Sequence, residues 1–131
     1  MNVNQKGVKG LIKVIDDLQD KGFYVFPAFD DHSPIDLVAV DAKGNSFRLQ
    51  IKYRSLAKNK KSKYELPACS VINGKKVPIN RDLIDGWAVY LSDHKKVVYI
   101  NKDRLVNKAA LFIDPDTDYG KLDEWLKSAS C

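Results

Sequence analysis

Hydrophobic and polar residues alternate most regularly between Ser46 and Arg54. In an extended chain, successive side chains point to opposite faces, so the apolar positions share one face. Those apolar residues are Phe47, Leu49, Ile51 and Tyr53. Shortly before them, residues 35–40 form an apolar run rich in β-branched side chains. The pattern predicts two neighbouring strands, the second with one buried face.

The residues between the two runs predict a tight hairpin turn. A three-residue loop needs a left-handed residue at its third position, and Gly44 stands there if the loop is 42–44. Asp41 then pairs with Asn45 across the base of the turn. This loop length fixes the pairing of both strands, because a slip of one residue would turn every side chain to the other face.

With this register, Val38 opposes Arg48 and Asp36 opposes Gln50. Lys52 lies one diagonal step away, on the same face as Gln50. A half-exposed hairpin has polar residues at alternate positions without any function. However, a carboxylate in an otherwise apolar strand needs a cation or metal as partner. The hairpin therefore predicts a carboxylate, an amide oxygen and an ammonium close together, a trio able to hold a divalent metal beside a phosphodiester.

Outside the hairpin, the chain predicts an α/β fold in which a mixed central β-sheet is flanked by helices, in one domain over residues 1–131. Residues 5–21 form an amphipathic helix that Gly22 ends. The other predicted strands are residues 23–26, 64–71 (turned by Asn73-Gly74), 87–91 and 97–100. The remaining predicted elements are a short helix or turn at 80–85, a weak helix at 102–110 and a helix at 119–128 capped by Asp118. The apolar face of this last helix is either core or a dimer contact.

Asp36 followed by Gln50-Ile51-Lys52 resembles the signature of the PD-(D/E)XK nuclease superfamily, with Gln in place of the usual acid. Further blocks are similar to those of small intron-associated, homing-type and Holliday-junction-resolvase-like endonucleases. These blocks are residues 22–27, 30–34, 85–90 and 97–100. The similarity covers about residues 7–105 and implies a restriction-endonuclease-like core.

The resemblance implies a catalytic site of Asp36, Gln50 and Lys52 that hydrolyses DNA with Mg²⁺, or with Mn²⁺. Mg²⁺ prefers hard oxygen ligands, which Asp36, the Gln50 amide and the backbone carbonyl of Ile51 would supply. Lys52 would stabilise negative charge on the transferred phosphoryl group. Its expected role is electrostatic before that of a general base.

Two features depart from the family pattern. Gln50 removes one negative charge from the site, and the first helix lacks the acid that relatives often place there. The matching turn, residues 7–11, contains no acid. Asp31, just before the core strand, is the candidate auxiliary acid, whereas Asp16 and Asp17 are expected on a solvated helix face.

The net charge of +5 is unevenly distributed. Residues 42–64 contain eight basic residues and no acid, as expected of a surface that binds a polyanion. The candidate DNA-binding residues are Arg48, Arg54, Lys58, Lys60, Lys61 and Lys63. The expected partner is double-stranded or branched DNA, bound through its backbone. The aromatic side chains of the strands are either base-stacking or, more commonly, core residues. They are Tyr53, Tyr64, Trp87, Tyr90 and Tyr99.

The rest of the composition narrows the class of protein. No apolar run approaches the length of a membrane span, so a cytoplasmic protein is expected. Cys69 and Cys131 do not have a zinc-binding spacing, and His32 and His94 lie in polar, loop-like segments. Cutting both strands needs two active sites, which predicts a homodimer or higher oligomer. Three functions remain open: a metal-dependent DNA endonuclease, a junction-selective nuclease, and a nuclease-like domain that binds without cutting.

Overall fold

The computed structural model describes residues 1–30, 32–56, 63–67, 69–72, 75–78, 82–106 and 108–126. The fold is mixed α/β, as the sequence predicts. Helix α1 (Val3–Asp20) comes first, and the strands within the described residues are β1 (Tyr24–Pro27), β2 (Leu37–Val40), β3 (Ser46–Arg54), β4 (Tyr64–Pro67), β5 (Cys69–Ile72), β6 (Lys75–Pro78), β7 (Gly86–Leu91), β8 (Lys96–Asn101) and β9 (Ala110–Ile113). Two short 3₁₀ helices cover Lys102–Leu105 and Leu122–Glu124.

Five strands form the central sheet, in the order β1-β2-β3-β7-β8. The β3–β7 pair is parallel and the other pairs are antiparallel. Two smaller antiparallel pairs, β4 with β9 and β5 with β6, lie outside this sheet. The central position of β3 places its residues between β2 on one edge and β7 on the other.

The β2–β3 turn has the predicted conformation. Gly44 adopts φ +87°, and the Asp41 N–H donates to the Asn45 carbonyl at 3.0 Å. The Asp41 carboxylate also accepts the backbone N–H groups of Lys43 and Asn45, both at 2.9 Å. Val38 pairs with Arg48 as predicted, but the ladder begins at Leu37–Leu49, so the predicted Asp36–Gln50 pair lies outside it.

Helix α1 begins and ends where its sequence provides caps. Asn2 and Gln5 form a reciprocal capping box, and Gly22 adopts φ +87° just past the end. Its buried face, which includes Val14 and Leu18, packs on the sheet. Over the described residues, none of the helices combines the length and the apolar character that crossing a membrane requires.

The two faces of β3 contact different parts of the core. The α1 face of the sheet carries Leu49, Ile51 and Tyr53 and lies under the helix. The β4 face carries Gln50, Lys52 and Arg54, beside a cluster that contains Tyr64 and Leu66 of β4 together with Trp87 and Val89 of β7. Four of the strand aromatics are buried and belong to the core, which is the commoner of the two roles that the sequence left open. They are Tyr64, Trp87, Tyr90 and Tyr99.

Several element predictions are wrong, because long-range pairing overrides weak local signals. The predicted strand 64–71 is two strands, since β4 pairs with β9 while β5 pairs with β6. The weak helix predicted at 102–110 is a single 3₁₀ turn, and Ala110 already belongs to β9. Of the segment 80–85, residues 80 and 81 lie outside the described residues, and residues 82 and 83 form a turn, which is one of the two predicted alternatives.

The predicted C-terminal helix starts later than Tyr119, because only Trp125 and Leu126 are α-helical in its described part, and residues 127 and 128 lie outside the described residues. Asp118 accepts the N–H of Gly120 instead of capping a helix, and a 3₁₀ turn covers Leu122–Glu124. Leu122 and Trp125 are nevertheless buried, so the apolar face of this segment belongs to the core. Asp17 is likewise not simply solvated, because its carboxylate binds Lys21 at 2.7 Å and the Tyr99 hydroxyl at 2.5 Å.

Candidate active site

Asp36 lies where β2 begins beside β3. Its backbone N–H donates to the Leu49 carbonyl at 2.9 Å, and its Oδ2 accepts the backbone N–H of Ile51 at 2.7 Å. We call the gap between the start of β2 and residues 49–53 of β3 the seam. The carboxylate is therefore held against the β2 edge of β3, inside this seam.

Electrostatics at the seam favour an added cation. Burial raises the pKa of Asp36, and the Ile51 N–H and the Lys52 ammonium oppose that shift only in part. Burial also lowers the pKa of Lys52, helped by the charge of Arg54 and opposed by Asp36. Desolvation thus outweighs the mutual attraction of the acid and the amine, and a bound cation would stabilise the ionised carboxylate.

The backbone of Ile51 faces the same seam as Asp36. In a strand, the N–H and C=O groups of one residue point to the same edge. Because the Ile51 N–H binds Asp36, its carbonyl also points toward the β2 edge. The backbone carbonyl oxygen of Ile51, which the sequence predicts as a metal ligand, is therefore adjacent to the carboxylate of Asp36.

Gln50 and Lys52 lie on the β4 face, both half-buried. The Oε1 atom of Gln50 accepts the indole N–H of Trp87 at 3.0 Å. The charge of Lys52 acts on Asp36, so these two groups belong to one electrostatic unit. The amide oxygen of Gln50 already has one partner on the β7 side.

A cleft opens beside the seam on the α1 face. Its walls are Gly7, Leu11, Ala28, Asp30, Asp36, Ile51 and Tyr53. Asp30 is a second carboxylate that lines this cleft. The sequence-based site did not include it, and its position next to Asp31 was the one sequence signal that pointed to it. Asp31 itself lies outside the described residues, within which no three or more His, Cys, Asp and Glu side chains group together. The oxygen donors of Asp36, Asp30 and Ile51 are hard ligands, and they fit Mg²⁺ or Mn²⁺.

Gly7 of α1 lines the cleft. It belongs to the turn of the first helix that matches the one where relatives often place an acid. A Cβ atom added there would have no atom within 4 Å. We expect Gly7→Glu to bind Mn²⁺ about tenfold more tightly, because it adds a carboxylate to a site short of negative charge. Isothermal titration without DNA measures this affinity.

The matched control for that variant is Gly7→Gln, which adds a side chain of the same size without the charge. Equal tightening in the two variants would contradict the electrostatic explanation. Thermal unfolding of both variants in EDTA checks that α1 tolerates the longer side chain.

The predicted DNA-binding arginines both make intramolecular bonds. Arg48 donates through its backbone N–H and its guanidinium to the Asp85 carboxylate, at 2.7 to 3.2 Å. The guanidinium of Arg54 donates to the carbonyls of Glu65 and Tyr53, at 3.1 and 2.9 Å. Lys63 is exposed, and Lys58, Lys60 and Lys61 lie outside the described residues. A DNA contact by these six residues stays a prediction.

The Arg48–Asp85 pair links β3 to the start of β7. Burial opposes ionisation of Asp85, but the hydrogen bonds and charge of Arg48 outweigh it and hold the pKa of that carboxyl below its usual value. We expect Asp85→Asn to lower the free energy of unfolding by about 1 kcal/mol at pH 7, since both side chains are about a third exposed (38% and 30%).

The pH dependence of this effect has a definite sign. A carboxyl group with a depressed folded-state pKa stabilises the fold above its unfolded-state value, about 3.9, and this is lost as pH falls through the folded-state pKa. Urea unfolding of both proteins at pH 7 and near pH 3 measures it. A stability difference that stays constant down to the lower pH would contradict the ionic origin.

Asp36 lies just before β2 and lines the cleft on the α1 face, whereas Gln50 and Lys52 lie on the β4 face of β3. The chain belongs to the PD-(D/E)XK endonuclease family, whose family model matches residues 1–116. This confirms the resemblance seen in the sequence. Nucleases of this family generally use divalent metal ions.

Among solved structures, the chain is similar to I-Ssp6803I, a bacterial homing endonuclease. The TM-score is 0.76 over 99% of this chain and 97% of that chain, at 15% sequence identity. At this identity the likeness establishes the shared fold. No curated protein sequence matches the chain significantly.

Proposed function

We propose that this protein is a divalent-metal-dependent DNA endonuclease that hydrolyses phosphodiester bonds. The observation that carries the proposal is the placement of Asp36. Its half-buried carboxylate lies in the seam, bound to the Ile51 N–H and within the field of Lys52. A family of endonucleases and a homing endonuclease fold support the same conclusion.

Asp36 and the Ile51 carbonyl would hold the metal, with Asp30 in the wall of the same cleft. When bound, Mg²⁺ or Mn²⁺ would neutralise charge on the phosphate and acidify a coordinated water. The ammonium of Lys52 acts as a point charge that stabilises negative charge as it develops on the phosphoryl oxygens. Burial strengthens that interaction by excluding water around the amine.

The substrate we propose is double-stranded or branched DNA. The net charge of +5, with eight basic residues and no acid in residues 42–64, favours a polyanion close to β3. Because one seam cuts one strand, cleavage of both strands requires two copies, and we propose a homodimer or higher homo-oligomer.

The test is a cleavage assay on supercoiled plasmid and on a four-way junction, with Mg²⁺, with Mn²⁺ and with EDTA. We expect cutting by the wild type with either metal and none in EDTA, and no cutting by Asp36→Asn. Asp16→Asn, an exposed acid on α1, is the control and should keep full activity. Cutting in EDTA, or full activity of Asp36→Asn, would overturn the proposal.

A second function has one specific observation in its favour. Gln50 is uncharged, and its side-chain oxygen already accepts the Trp87 N–H. Gln50 therefore does not replace the negative charge that the usual acid of the family would supply. Such a site suits a nuclease-fold module that binds nucleic acid without cutting it. DNA binding by the wild type, with every substrate intact in both metals, would establish this alternative.

A further inference from the structure

We propose that Trp87 is a positioning residue, which holds the Gln50 amide as a hydrogen-bond donor to a phosphate oxygen of the substrate. The inference rests on the proposed nuclease function and deepens it. It gives Gln50 a part other than that of a metal ligand. A single buried hydrogen bond and the order of the strands carry the argument.

The orientation of the Gln50 amide follows from hydrogen-bond chemistry. The indole of Trp87 is fully buried, and its N–H lies 3.0 Å from Oε1 of Gln50. An indole N–H is only a donor, and an amide NH₂ is also only a donor. The oxygen must therefore face Trp87, because a flipped amide would leave a buried N–H without an acceptor.

The order of the strands then places the NH₂ group. Strand β3 lies between β2 and β7, so Trp87 reaches Gln50 from one edge and Asp36 lies toward the other. The oxygen and nitrogen of a planar amide diverge from their shared carbon. With its oxygen turned toward β7, the amide turns its NH₂ toward the seam.

This NH₂ group is available to a ligand. Within the described part of the chain, the one hydrogen bond of the Gln50 side chain is that of its oxygen to Trp87. Gln50 and Lys52 are two positions apart on β3, so the amide and the ammonium project from the same face of the strand. Donors on one face suit the anionic oxygens of a phosphodiester.

The first test measures metal binding alone, by titrating Mn²⁺ without DNA. We expect Asp36→Asn to weaken binding at least about tenfold, as loss of a ligand does, and Gln50→Leu to change it by less than about twofold. A tenfold loss in Gln50→Leu would make its oxygen a metal ligand and overturn the inference. Unchanged binding in Asp36→Asn would instead overturn the proposed function.

The second test measures DNA cleavage under saturating metal. We expect Trp87→Phe to be about tenfold slower and Gln50→Leu about 100-fold slower, with metal affinity kept in both. Because Trp87 acts through Gln50, the double variant should be no slower than Gln50→Leu alone. Full cleavage by Trp87→Phe would overturn its positioning role.

The double variant also separates positioning from folding. Gln50→Leu leaves the buried indole N–H without its acceptor, and this lowers the Tm. Replacing both partners with apolar groups removes that penalty, so the double variant should regain most of the lost Tm. We expect its cleavage to remain slow nevertheless. Cleavage that recovers together with the Tm would show a structural role only and overturn the inference.

Discussion

Lys52→Ala is expected to lower the rate of DNA cleavage by about 100-fold or more at saturating Mg²⁺. Removal of a single preorganised group that stabilises transition-state charge has effects of this size. The half-buried ammonium lies near Asp36, where the scissile phosphate would bind, and alanine leaves no donor in its place. Single-turnover cleavage of a labelled duplex or junction substrate measures the rate of the chemical step.

The same variant should keep its fold and its metal. Burial disfavours the charged form of Lys52, so loss of the amine gives up little stability. It also removes a positive charge beside the carboxylate, so Mn²⁺ should bind at least as tightly as to the wild type. Lys13→Ala, on the exposed side of α1, is the matched control and should cut normally. Cleavage by Lys52→Ala at the wild-type rate would refute the catalytic assignment of this residue.

Gly86→Ala is expected to produce the largest loss of stability, about 3 kcal/mol in the free energy of unfolding. Gly86 begins β7 directly beside the buried ring of Trp125. An added methyl carbon would overlap the Ile100 carbonyl and lie 2.5 Å from Cη2 of Trp125. A strand backbone and a packed indole cannot both move aside in a close-packed core. Urea denaturation followed by circular dichroism measures the change.

Gly7→Ala provides the comparison, since it is the same substitution without a clash. Nothing lies within 4 Å of the added methyl, and alanine favours the helix by about 0.5 to 1 kcal/mol over glycine. This variant should therefore be more stable than the wild type. Similar stabilities for the two alanine variants would contradict the packing described around Trp125.

The hairpin that carries the site could be predicted because its signals are local. The left-handed position of Gly44 fixes the loop length, and the loop length fixes which residues of β2 and β3 are paired. Asp36 stood out because an acid is unusual in an apolar strand. The same reasoning holds for α1, whose caps are adjacent in sequence.

The parts that could not be predicted depend on residues far apart in the chain. Strand β9 has a weak pattern of its own and forms because β4 offers it an edge. Likewise the partners of Arg48 and Gln50, namely Asp85 and Trp87, are each 37 positions away. No spacing rule connects such pairs, so the structural role of Arg48 and the orientation of Gln50 appear only in three dimensions.

The parallel pairing of β3 with β7 has a consequence for the newly made chain. The candidate site residues Asp36, Gln50 and Lys52 are synthesised before β7, the strand that pairs with the other edge of β3 and extends to Leu91. Parallel neighbours need a long crossover, and such distant contacts form late. A ribosome-bound fragment that ends before β7 therefore holds the candidate site residues without the strand that pairs with β3 and aligns them.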